Sequence, residues 1–125
     1  MTPKQAGFTR CPEQPHEWVR WDRHAEFVCQ TRVHSEAGHW WATIVVREPV
    51  EGMFARIREV NTYGPFNTRT QSLNNAVSNI RSTMVPVVNY RTGETVMESI
   101  ATPEKGSVSS PLYWHQASDH RAISV

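Results

Sequence analysis

Between residues 26 and 34 the chain alternates. Phe27, Cys29, Thr31 and Val33 fall on one side, and Gln30, Arg32 and His34 on the other, the period-two pattern of a strand with one buried face. The stretch 17–22 before it carries Trp18, Val19 and Trp21, and Ser35-Glu36-Ala37-Gly38 after it has turn chemistry. Residues 39–47 then concentrate aromatic and β-branched side chains: Trp40, Trp41, Thr43, Ile44, Val45 and Val46. Pro49 to Gly52 interrupts the run, and 53–60 resumes it. This pattern predicts a meander of three or four antiparallel strands.

After Tyr63-Gly64-Pro65-Phe66 the period changes. Thr68 and Gln71 fit a capping box, in which each side chain satisfies the other's orphan backbone donor. Leu73, Ala76, Val77, Ile80 and Met84 follow at helical spacing and define one apolar stripe. The remaining positions hold Asn, Ser, Thr and Arg, so packing rather than propensity must hold this helix. Residues 85–91 and 94–100 flank Thr92-Gly93 as a hairpin, with Pro86 confined to a strand start or an edge. The predicted fold is α+β: an antiparallel β-sheet of four to six strands with one long amphipathic helix packed on one face. Residues 1–16, with Pro3, Gly7, Pro12 and Pro15, read as an irregular N-terminal arm. The single domain is expected over 17–100, and 101–125 as a flexible tail carrying Leu112-Tyr113-Trp114-His115.

Composition bounds the partners. The chain has 125 residues, of which 38% are hydrophobic; no run approaches a membrane span, and Met1 to Gln5 leads into no apolar signal region. The expectation is a cytoplasmic protein that does not engage a membrane. Net charge is +1, which argues against a basic field over the whole surface. Yet the cations are two lysines and eleven arginines, and the planar guanidinium suits carboxylates and phosphates. Cys11 and Cys29 are expected to stay reduced in a cytosolic chain.

Cys11, His16, His24, Cys29, His34 and His39 are zinc-type ligands, but their spacing is not that of paired ligands on turns. Cys29 and His34 point to opposite faces of their strand, and Cys29 reads as a small core hydrophobe beside Phe27 and Val33. No nucleophile elbow, phosphate-cradling glycine loop or H-E-x-x-H motif is present. Asp119-His120 lies in the tail, and Glu94 with Glu98 reads as a solvated strand edge. No catalytic residue, resident metal or cofactor is assigned.

The stretch 60–81 resembles the second half of a sporulation-related (SPOR) repeat domain, through Gly64, Pro65, Phe66, Leu73, Ala76 and Val77. That likeness implies peptidoglycan binding, although the first half of the repeat, a strand running straight into a helix, has no counterpart before Val60. The same strand–GPF–helix step resembles short actinobacterial and phage accessory proteins, which implies a small α+β fold and no shared activity. In both readings Gly64 and Pro65 reverse the chain and Phe66 plugs the gap between sheet and helix.

A binding surface is the remaining candidate. Arg56 and Arg58 alternate onto one face, and Arg32, Arg47 and Arg69 are candidates to lie beside them. Such a patch suits an acidic protein surface or a nucleic-acid backbone, with Trp41 and Tyr63 as stacking groups. Trp40 and Trp41 must face opposite sides of the sheet, so one lies away from the helix and is a candidate contact for a partner or a second copy. Tyr113 and Trp114 add a possible docking motif in the tail. The expected function is a non-catalytic binding protein with a protein partner, in the manner of a phage-encoded factor engaging a host protein. The alternatives are a nucleic-acid-binding module using the arginine face and a small zinc-binding module; homo-oligomerisation fits the first reading.

Overall fold

Ala37 and Gly38 both have positive φ, 53° and 78°. This is the mirror-image turn whose twist matches the strands it joins. It connects β3 (Phe27–Glu36) to β4 (His39–Val50), paired antiparallel from Glu36 opposite His39 to Val28 opposite Arg47. Ala25, also at φ 53°, turns β2 (Trp18–His24) into β3, placing Trp18 opposite Val33 and Asp22 opposite Cys29. β5 (Met53–Phe66) returns along β4, and β1 (Thr9–Arg10) adds two residues to the outer edge of β2. The sheet is thus a five-stranded antiparallel meander in the order β1-β2-β3-β4-β5. This computed structural model describes residues 1–50 and 53–101, apart from the side chains of 49, 50 and 53–55. The tail from 102 onward, with Tyr113 and Trp114, lies outside the described residues.

Thr68 caps α1 (Arg69–Ser82). Its hydroxyl accepts from the Gln71 N–H at 3.2 Å, and Gln71 Oε1 accepts from the Thr68 N–H at 3.3 Å, the reciprocal box the sequence predicts. Ser72, Leu73, Ala76 and Ile80 form the buried face of α1. Ser72 Oγ fixes the helix start by donating to the Trp41 carbonyl at 2.6 Å. The helix lies over β3 and β4, with fewer contacts to the edge strand β5.

The predicted hairpin forms as β6 (Met84–Val88) and β7 (Thr95–Ser99), but as a separate two-stranded sheet beside the helix. Val85 and Ile100 reach the same core as Phe27, Cys29, Val33, Ala42, Ile44 and Val46. An isolated hairpin is marginal in water; this burial, with the 2.6 Å contact between His24 Nε2 of β2 and Glu98 Oε1 of β7, holds it. The core also includes Ala6 and Phe8, at 3% and 1% exposure, so it reaches into the N-terminal arm that the sequence leaves outside. Residues of the arm make a closed turn, with the Phe8 N–H donating to the Pro3 carbonyl at 2.8 Å. Among the described residues no helix is long and apolar enough to cross a membrane.

Beneath the arm sits a buried ion pair. Arg20 and Asp22 are two apart on β2 and therefore share the helix-bearing side of the sheet. Asp22 is 0% exposed. It accepts from Arg20 Nε at 3.0 Å and from Nη2 at 2.9 Å. Arg20 Nη1 donates to the Ala6 carbonyl at 2.9 Å, so one guanidinium ties the arm to the sheet.

The GPF step departs from its sequence reading. Gly64 and Pro65 do not reverse the chain. They lie within β5 at a register shift, where Ala42 faces Tyr63 and Trp40 faces Phe66, and the bond between them is cis. Phe66 is only partly buried and is not part of the core cluster. With Pro65, Asn67, Gln71, Asn74 and Asn75 it lines a shallow depression beside the helix start.

Candidate functional site

Trp18 begins β2 and is buried to 7% exposure. Two guanidinium groups lie over its ring, Arg10 at 4.9 Å and Arg69 at 5.9 Å from the centroid, within cation–π range. The fold brings them there from separate segments. Arg10 is directly opposite Trp18 in the β1–β2 pairing, and Arg69 is the first residue of α1. Both arginines are exposed. Among the described residues neither forms an ion pair with a carboxylate. The first turn of α1 carries no acidic side chain, so the positive end of the helix dipole reinforces the two charges. Stacked on one rigid ring, the guanidinium groups lose little further side-chain freedom when they take an anion. The cluster is therefore suited to a carboxylate or a phosphate.

Of the residues singled out from sequence, only Arg69 belongs to this cluster. Arg56 and Arg58 lie toward the opposite end of β5. Arg56 pairs with Glu48 at 2.6 Å, and Arg58 lies 5.4 Å from the centroid of Phe27. Arg32 and Arg47 are on the face turned away from the helix, opposite Thr43 and Val28. Arg32 is bound to Glu17 at 2.6 Å and Arg47 is 5% exposed. The structure therefore does not gather the five arginines into one patch. Arg10 was not readable as a partner of Trp18, because a two-residue strand is too short to carry a periodic signal.

The stacking pair is not assembled either. Trp41 is half-buried on the open face, its indole N–H donating to the Glu36 carbonyl at 3.2 Å. Tyr63 lies opposite Ala42 on the helix side and packs against the core. The two rings thus occupy opposite faces. Trp40, as alternation requires, packs on the core side.

His34 on the open face shares a 2.9 Å hydrogen bond with Thr43 Oγ1. Burial, aided by the neighbouring Arg32 charge, lowers its pKa and favours the neutral ring. Among the described residues no three His, Cys, Asp or Glu side chains are grouped to hold a metal ion. Cys11 and Cys29 are free thiols. Burial pushes the Cys29 pKa up to about 12, outweighing its hydrogen bond with Thr31, which suits the core role read from sequence rather than a thiolate ligand. A direct check is thiol titration with Ellman's reagent. Half-buried Cys11 should react in the folded protein and Cys29 only after denaturant is added; prompt reaction of both would contradict the buried assignment.

No family model, curated protein or solved structure matches this chain.

Proposed function

We propose that this chain is a non-catalytic binding protein that engages an acidic protein surface through Arg10 and Arg69 on Trp18. The observation that carries this reading is the pair of exposed guanidinium groups over one buried ring, without a carboxylate partner among the described residues. Ion pairs elsewhere occupy Arg20, Arg32 and Arg56, whereas Arg10 and Arg69 are brought together over one ring. A protein partner is favoured over single-stranded nucleic acid because Trp18 is too buried to stack a base and Trp41 and Tyr63 do not share a face. A cytoplasmic accessory factor that engages a host protein is compatible with such a site.

Binding of a polyglutamate peptide, followed by the Trp18 indole N–H resonance, tests the reading. The double variant Arg10→Glu with Arg69→Glu should weaken binding by at least about tenfold, since charge-assisted contacts contribute about 1.5–3 kcal/mol each. Equal affinity of variant and parent would reject the site. A single-stranded oligonucleotide of matched charge serves as the comparison. Preference for it, with the steep salt dependence of counterion release, would favour the nucleic-acid reading.

A further inference from the structure

The meander ends at β5, a strand of 14 residues, with no strand beyond it among the described residues. Its backbone groups directed away from β4 form a pairing edge, which proteins normally shield. Two large apolar residues sit exposed on this edge strand, Ile57 at 47% and Val60 at 52%. In a regular strand, residues three apart face opposite sides. Here they do not. The register shifts between Val46, opposite Glu59, and Arg47, opposite Ile57, so that Arg58 is an extra, bulged residue. Val60 faces Val45 and Ile57 faces Arg47, and both therefore lie on the open face of the sheet. Glu59 faces Val46 on the helix-bearing side, and Arg58, over Phe27, reaches that side too.

Read along the strand, residues 57 to 60 thus run open, helix, helix, open. That pattern is the same in both directions. An antiparallel strand related by a two-fold axis between residues 58 and 59 matches each side chain from 57 to 60 to one on its own face. Ile57 then meets Val60 of the second strand, and Arg58 meets Glu59, each pair occurring twice. Shifting the register by one residue breaks the match of faces, and centring it on residue 58 or 59 sets Arg58 against Arg58 or Glu59 against Glu59. We infer that β5 pairs with β5 of a second copy of this chain, forming a dimer with one continuous sheet. The bulge, which in isolation blunts an edge, here creates the self-complementary sequence of faces. This inference does not depend on the Arg10–Trp18–Arg69 site, which lies toward the far side of the sheet.

Sedimentation velocity over a range of concentrations tests it with a built-in rescue. The parent chain should dimerise. Arg58→Glu and Glu59→Arg, each alone, oppose like charges twice across the interface and should weaken self-association by about tenfold or more. An equimolar mixture of these two variants restores opposite charges at both positions and should form a heterodimer as tight as the parent dimer. A parent chain that remains monomeric would overturn the inference, as would single variants that dimerise like the parent or a mixture that does not recover. If circular dichroism shows either charge variant unfolded, Val60→Lys decides, because its exposed side chain leaves the core untouched. Dimerisation surviving Val60→Lys overturns the proposal, and its loss in a folded variant supports it.

Discussion

Asp22→Ala should cost about 3–5 kcal/mol of stability, the usual penalty for stranding one member of a buried ion pair. Asp22 is wholly buried and takes two donors from Arg20, itself 7% exposed. Removing the carboxylate leaves a buried guanidinium in a low-dielectric site without the Asp22 charge that faces it. Desolvation of that charge, not the lost hydrogen bonds, sets the size of the effect. Replacing both partners, Arg20→Met with Asp22→Leu, removes the charge as well as its counter-ion and should recover most of the loss. Urea denaturation of the parent, single and double variants measures both effects. A single variant within about 1 kcal/mol of the parent would show that the pair is not the anchor described here.

The second large effect is expected at Gly64. Its φ of 132° lies in a region that side chains rarely adopt, and a Cβ there would stand 2.9 Å from Trp41 Cε3 and 3.0 Å from the Trp40 carbonyl oxygen. Backbone strain and overpacking together predict a loss of about 2–4 kcal/mol for Gly64→Ala. Gly38→Ala is the control, because Gly38 has φ 78° but open space around its Cα. It should cost only about 1–2 kcal/mol, the conformational share alone. Thermal or urea unfolding of the two variants separates the effects. Equal losses would mean that the close approach of Trp41 contributes nothing.

These two positions also mark where sequence reading reaches its limit. The alternation of Phe27, Cys29, Thr31 and Val33 made the face of β3 legible, and Thr68 with Gln71 made the helix start legible, because both signals are local. The Arg20–Asp22 pair was not legible. On an alternating strand two charges at that spacing read as a solvated face, and only the arm folding over them makes the site buried. The arm itself has no period to read, since Ala6 and Phe8 sit among prolines and glycine. Gly64-Pro65 resembles a chain reversal in one dimension, whereas pairing with β4 turns it into a bulge. The residues of the candidate site were harder still. Arg69 was named, but its position beside Arg10 depends on Trp18, to which both are brought only by tertiary structure.

The core has a further consequence for how the molecule comes apart. Ala6 and Phe8 near one end of the described chain share a single cluster with Val85 and Ile100 near the other. Between them the meander is built from neighbours in sequence, the sort of topology that closes with short loops and folds quickly. The closing contacts are the exception: they link distant segments and cannot form until both are in place. Slowest-exchanging amides should therefore include Val33 and Ile44 at the centre of the sheet. Trimming either flank of the core would weaken the same cooperative unit rather than fray a separate one, so the opposite flank should lose protection as well.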